Sequence, residues 1–299
     1  MTKPSKAFFI LGVGAQKAGT SWLHRELSRC AQVNFGFQKE YKAFANLGAG
    51  NVIRQNVNRR FGKAIDCEQF EALSHANKQR WMQNDVRYYC HYFRRLIDTN
   101  PALLATGDIS PHYSELNAAS FRRIKSPLEA GGFEVKVILL LRDPVERIWS
   151  QLRMLRRQNR FPDLCGYLSE ETALAVLHRH SRFAAKTQYH YTIQALDQAF
   201  PAEHIHVDFY ERLFQPEAHS RLAGFLDLSL PPADFTTRVN ASPKQIEICP
   251  MLQRTVALAY EDLYQAMIKR FGSTVLDLWP LARWIHEGRT KGRSFLLHE

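Results

Sequence analysis

The sequence predicts an α/β fold: a central parallel sheet with helices on both faces. Three observations predict it. An apolar run at residues 7–13 feeds a glycine-bearing loop and then a helical pattern. A second apolar run, at 135–141, ends in Arg142-Asp143-Pro144 and another helical pattern. A third run, 204–210, alternates, is rich in β-formers, and follows a helical stretch that Pro201 stops. Strands that alternate with helices imply crossover connections and parallel pairing. The near-continuous apolar character of the second run is that of a strand buried on both faces.

The chain has 299 residues, 45% of them apolar, enough for a large core. No apolar run approaches the ~20 residues that span a bilayer. The N-terminal apolar run leads straight into the glycine loop, so it is not read as a cleavable signal. Five scattered cysteines without a C-x-x-C pair argue against a disulfide framework or structural zinc, and for a reducing compartment, the cytoplasm. The net charge of +11 asks for an anionic partner: nucleic acid, a membrane surface or a polyanionic small molecule.

The first loop reads Gly14-Ala15-Gln16-Lys17-Ala18-Gly19, followed by Thr20-Ser21 and a helix with Trp22, Leu23 and Leu27 on one side. A loop that enters a helix N-terminus presents backbone N–H groups to an anion. The glycine spacing is that of the nucleotide P-loop, but the lysine that should follow the second glycine sits three residues earlier, as Lys17. A Mg-nucleoside-triphosphate site wants that lysine beside the metal-binding hydroxyl. At the loop apex it suits a phosphate-like group without a metal. The plainer alternative is a tight turn with an exposed lysine. G-x-x-K-x-G-T-[ST]-x-L after a first strand resembles the 5′-phosphosulfate loop of sulfotransferases, enzymes that use 3′-phosphoadenosine 5′-phosphosulfate (PAPS). The resemblance implies a P-loop-like three-layer fold and a cofactor-binding loop formed by Gly14, Ala15, Gln16, Lys17, Ala18, Gly19, Thr20 and Ser21.

Residues 28–60 leave the first helix and contain Lys39-Glu40-Tyr41-Lys42-Ala43-Phe44. Lys39, Glu40 and Phe44 match the K-E-x-x-x-F segment of sulfotransferases that act on sugars. The resemblance makes Glu40 the catalytic base and gives Lys39 a part in holding the sulfonyl group or acceptor. Lys42 departs from it, because related sequences often place a histidine there. The stretch 61–100 carries aromatic residues at mixed three- and four-residue spacing, read as core-facing helices. At 105–116, ATGDISPHYSEL has an extended segment that Ser110-Pro111 ends. Asp108, Ser110, Pro111 and Tyr113 resemble a G-[DE]-x-[ST]-P-x-Y segment bordering the acceptor site. Lys42, Asp108, Ser110, His112 and Tyr113 are therefore acceptor-side candidates, although a lone histidine such as His112 reads first as a surface residue.

Arg142 stands at the C-terminal end of the second strand, where open α/β sheets bind ligands. Asp143 reads as an N-cap and Pro144 as the first helical residue. An arginine fork with a serine hydroxyl suits a phosphate monoester. R-D-P-x-x-R-x-x-S resembles the 3′-phosphate motif of the same family, which assigns that phosphate to Arg142 and Ser150. Arg153, Arg156, Arg157 and Arg160 follow, either as a complement to the helix dipole or as a surface for an acidic acceptor. His204 and His206, at i and i+2 of the third strand, have no third ligand suggested nearby, so no metal is expected. Residues 239–244, VNASPK, resemble a stretch that precedes paired C-terminal helices in bacterial sulfotransferases, and helical spacing follows from 252 to 279. Residues 289–293 form a basic tail.

The expected organisation is one sulfotransferase domain over 1–299. Its cofactor-binding core lies at about 7–30 and 134–215, with acceptor-side helical insertions at about 40–130 and C-terminal helices at about 245–285. The implied activity is transfer of a sulfuryl group from PAPS to an acceptor hydroxyl on a carbohydrate or glycoconjugate, without metal and without nucleic acid as partner. Three other readings stay open: a P-loop-type ATP-dependent kinase, a basic nucleic-acid-binding domain, and a PAPS-binding but catalytically weakened homologue.

Overall fold

A computed structural model of the chain describes residues 7–44, 65–160, 168–237, 239–240, 244 and 246–290. Five parallel strands form one sheet in the order β2-β3-β1-β4-β5. They are β1 (Phe8–Gly14), β2 (Val33–Asn34), β3 (Ala105–Ile109), β4 (Glu134–Leu141) and β5 (Ile205–Phe209). In register, Phe8 lies opposite Ala105 on one side and Glu134 on the other, and Val137 lies opposite Ile205. All seven residues of β1 are buried, as are all of β4 except Glu134 and Lys136, which is why these strands read as continuous apolar runs. Strand β3 approaches β1 so closely that a Cβ on Gly107 would stand 2.2 Å from the Ile10 carbonyl oxygen. Only glycine fits there.

Successive residues of a strand face opposite ways. Phe9 therefore points to one face, where its ring meets Tyr89 and Phe93 of α4 (Val86–Asp98) and Phe133. Phe8 points to the other face. There the Lys136 amine lies over its ring and over Phe225 of α10 (Pro216–Leu226). The helix after the first loop, α1 (Thr20–Ser28), meets the entry to α10 through Trp22 and Phe214, 5.3 Å apart. Two short helices, α2 (Cys67–Glu71) and α3 (His75–Asn84), precede α4, and α5 (Ala118–Ala130) links β3 to β4. After β4 come α6 (Pro144–Arg157), α7 (Glu170–Leu177), α8 (Ser181–Ala184) and α9 (Tyr189–Ala199). Among the described residues, four helices follow: α11 (Pro250–Leu258), α12 (Glu261–Phe271), α13 (Ser273–Leu278) and α14 (Pro280–Thr290). Trp279, with no solvent exposure, anchors them against Phe209, Tyr189 and Tyr264.

The aromatic residues of α4 are core residues, as their spacing predicts: Tyr89 and Phe93 have no exposure. Strand β2 spans only two residues. One local expectation differs from the structure. His204 ends a 3-10 turn before β5 and pairs with Glu134 at 3.5 Å, whereas His206 stacks on Phe225, so the two histidines serve separate partners. Among the described residues no helix is long and apolar enough to cross a membrane. The tail beyond 290, and residues 241–243 of the 239–244 stretch, lie outside the described residues.

Candidate active site

The site lies at the C-terminal ends of β1, β3 and β4, where the strand order reverses around β1. The loop after β1 turns into α1 through two left-handed residues, Lys17 (φ 68) and Gly19 (φ 93). Gly19 caps α1 with no side-chain hydrogen bond, leaving the first-turn N–H groups of the helix without a side-chain acceptor. The backbone angle at Gly19 favours glycine, and a Cβ there would stand 2.4 Å from Leu213 Cδ2, which would have to move. Ala15 and Ala18 are buried beneath the loop, and Gln16 Oε1 is a buried atom with no hydrogen-bond partner among the described residues.

Arg142 leaves the end of β4 and reaches this loop. Its Nη1 donates to the Lys17 carbonyl at 3.1 Å, and its guanidinium lies over the Tyr210 ring at 4.2 Å. Its Nη2 pairs with Glu146 Oε2 at 3.0 Å. Asp143 caps α6 as expected, accepting from Val145 and Glu146 amides, and its second oxygen accepts from Tyr264 of α12. Burial pushes the Asp143 carboxyl up to about 7. Ser150 lies two turns along α6, 3% exposed. Arg147, between them in sequence, has no exposure and donates to Thr187, Gln151 and the Phe183 carbonyl, so it braces α6 from within.

Lys17 is the electrostatic centre of this half. Burial lowers its pKa to about 8, and Arg142, Arg157 and Arg153 add to the effect. Four cations around one loop form a donor set suited to a ligand with several negative charges. Arg153, 6% exposed, lies over the Trp149 ring at 4.4 Å. At the basic end of α6, the charges of Arg153 and Arg157 act on Lys17, while Arg156 donates to the Leu168 carbonyl.

The second half comes from residues 38–42. Lys39 Nζ lies 3.2 Å from Thr20 Oγ1 and 2.9 Å from Glu40 Oε1, which joins this segment to the start of α1. Lys42 Nζ lies 3.4 Å from Glu40 Oε2. Burial opposes ionisation of Glu40, but Lys39, Lys42 and His112 outweigh it and hold the carboxyl below its usual value. His112 is shifted down by burial and by Lys42 and Lys186, and its Nδ1 is a buried atom without a hydrogen-bond partner among the described residues.

Asp108, Ser110 and Tyr113 lie elsewhere than an acceptor-side role expects. All three have no solvent exposure. Asp108 accepts from the Tyr41 amide (3.2 Å), Ser110 Oγ (2.6 Å), Tyr89 OH (3.1 Å) and Tyr113 OH (2.7 Å). Ser110 Oγ in turn accepts from the Lys42 amide, and the Ile109 amide donates to the Lys39 carbonyl. These groups fix the backbone of the Glu40 segment from beneath. Burial raises the Asp108 carboxyl to about 6 against the pull of its hydrogen bonds.

Four further residues belong to the site: His24 carries no local signal, Asn240 and Lys244 fall in the 239–244 stretch, and Glu146 has only its spacing from Arg142. His24, on α1, is lowered to about 4 by burial and by Lys39, and its Nε2 is buried without a partner among the described residues. Asn240 accepts from Lys17 Nζ at 3.2 Å and donates to Ser21 Oγ at 3.0 Å. Lys244 Nζ reaches Glu146 Oε1 at 2.9 Å and lies over Trp149 at 4.6 Å. Glu146 stands four residues after Arg142, the spacing of a helical ion pair, which is the only hint the sequence offers. Among the described residues no group of three or more His, Cys, Asp or Glu side chains could hold a metal ion.

The family model described as "Sulfotransferase family" matches residues 9–232, three quarters of the chain. Among solved structures, the chain is similar to a sulfotransferase from Alicyclobacillus acidocaldarius, with 18% identity over 90% of this chain and 96% of that one and a TM-score of 0.59. It is also similar to a sulfotransferase domain from the curacin biosynthetic pathway, with 15% identity over 95% of this chain and 98% of that one, and a TM-score of 0.45. No curated protein sequence matches the chain. At these identities the structural likenesses concern the fold.

Proposed function

The chain belongs to the sulfotransferase family, and we propose that it transfers the sulfuryl group of PAPS to a hydroxyl of a carbohydrate or glycoconjugate. PAPS supplies a sulfuryl group on a phosphate oxygen; its transfer leaves 3′-phosphoadenosine 5′-phosphate. The observation that carries this reading is the 3.2 Å contact between Lys39 Nζ and Thr20 Oγ1. It sets a carboxylate, Glu40, beside the mouth of a cationic loop, so a base and an anion site share one opening.

The roles follow from charge and position. The loop from Gly14 to Ser21 and the uncapped start of α1 take the phosphosulfate end through backbone N–H groups. Arg142 and Ser150 take the 3′-phosphate. Lys17 neutralises charge that grows on the bridging oxygen as the S–O bond breaks. Glu40, ionised at neutral pH, accepts the proton of the attacking hydroxyl. Lys39 holds Glu40 in place and faces the transferred group. Asp108, Ser110 and Tyr113 act on the acceptor only through the backbone that they fix. The sugar preference rests on the likeness of Lys39, Glu40 and Phe44 to the K-E-x-x-x-F segment. The same reading assigns one domain to the chain and the cytoplasm as its compartment, the latter supported by the scattered cysteines.

One observation favours a second reading, a donor-binding protein with weakened transfer. Glu40 carries two lysines, Lys39 and Lys42, within 3.4 Å. Each lowers its basicity. The test is incubation with PAPS and a panel of oligosaccharides, with release of the bisphosphate nucleotide as readout. Acceptor-dependent release that Glu40→Gln abolishes supports transfer. Nucleotide binding without release in any acceptor supports the second reading.

A further inference from the structure

Arg142 already has an anionic partner within the chain. Glu146 places Oε2 3.0 Å from Arg142 Nη2 and Oε1 2.9 Å from Lys244 Nζ, so one carboxylate bridges two cations of the donor site. We propose that Glu146 is a built-in counter-anion: it holds the Arg142 fork and Lys244 in the nucleotide-free protein and gives Arg142 up to a 3′-phosphate, which limits how tightly the bisphosphate product is retained. The inference rests on the assignment of the 3′-phosphate to Arg142.

Three features support exchange over a fixed scaffold role. Arg142 has two other supports, the Lys17 carbonyl at 3.1 Å and the Tyr210 ring at 4.2 Å, and is only 9% exposed. These two supports keep Arg142 beside the loop when Glu146 releases Nη2. The Glu146 side chain is 34% exposed, against 10% for Arg142, so on leaving the arginine the carboxylate meets solvent and keeps the exposed Lys244 as partner. Finally, a phosphate monoester on Arg142 and the Glu146 carboxylate would be neighbouring like charges, which repel most where solvent is partly excluded. Lys17, Arg153 and Arg157 make the site favourable to an anion, and Glu146 offsets part of that attraction.

Glu146 also lies in the first turn of α6, where a carboxylate complements the helix dipole. The experiment must separate that role from the proposed one. Calorimetric titrations of 3′-phosphoadenosine 5′-phosphate and of adenosine 5′-monophosphate are compared in wild type, Glu146→Gln and Glu146→Asp, with the melting temperature of each unliganded protein. Removing the charge in Glu146→Gln should tighten the bisphosphate by about tenfold and leave the monophosphate within about twofold. Glu146→Asp, which restores the charge, should return the bisphosphate affinity toward wild type. Unchanged or weaker bisphosphate binding in Glu146→Gln overturns the proposal, as does an equal shift for both nucleotides. If wild type binds the bisphosphate no better than the monophosphate, the assignment of Arg142 itself fails, and the counter-anion role with it.

Discussion

The Tyr41 amide donates to Oδ1 of Asp108 at 3.2 Å, so the residue beside Glu40 hangs on a carboxylate with no solvent exposure. Position and ionisation of the candidate base are thus set by different groups. Asp108 and Ser110 fix its backbone, and Lys39 and Lys42 fix its charge.

Asp108 should make stability fall as pH rises. Its folded pKa, about 6, lies above the unfolded value of about 3.9. The folded state binds the proton more tightly, so this contribution is complete below pH ~4 and is lost as pH rises through ~6. Denaturant midpoints at pH 4.5 and 7.5 should differ less in Asp108→Asn than in wild type. An unchanged difference would remove Asp108 from the account. Asp108→Ala, which orphans several donors, should cost ~2–4 kcal/mol.

Glu40→Gln should bind the bisphosphate nucleotide as wild type does and lose transfer by ~10²–10⁴-fold in kcat. Single-turnover assays at saturating donor measure this. Unchanged turnover would take Glu40 out of the mechanism.

Lys39→Ala removes the nearest cation from Glu40, so the carboxyl pKa should rise. The acid limb of the pH profile of kcat/KM should then move to higher pH. A limb that stays in place would mean that a group other than Glu40 sets it.

Lys17 should set the basic limb. Its pKa of about 8 in the nucleotide-free protein predicts that kcat/KM for the donor declines as pH rises through ~8, because the amine must be charged to meet the leaving group. Lys17→Arg should abolish that limb. Lys17→Ala should retain the fold by circular dichroism and lower kcat by ~10²–10³-fold.

What could be read in the sequence was what is local. The β1 loop and the end of β4 each hold strand, turn, charged residue and helix start within ~15 residues, so their geometry follows from the chain itself. Asp143 is an example: residue type and a following proline suffice to predict an N-cap, and it caps α6 through the Val145 and Glu146 amides. Asp108 shows the limit. Its motif suggested contact with an acceptor, but its burial depends on Tyr41 and Tyr89, which the sheet and α4 bring to it. Asn240 meets Lys17 across more than two hundred residues, and no local pattern encodes such a contact. Arg153 and Arg157 were visible as charges but not as neighbours of Lys17, because the facing of α6 is set by the packing of Arg147 and Trp149.

The central claim is that Lys17 and Arg142 hold a bisphosphate nucleotide. The most direct measurement is calorimetric titration with 3′-phosphoadenosine 5′-phosphate, and with ATP plus magnesium, in wild type and Arg142→Ala. The account predicts tight binding of the bisphosphate, weakened by ~10- to 100-fold in Arg142→Ala as a charge-assisted phosphate contact is lost. Binding of ATP with magnesium but not of the bisphosphate would contradict it and make the loop a nucleoside-triphosphate site.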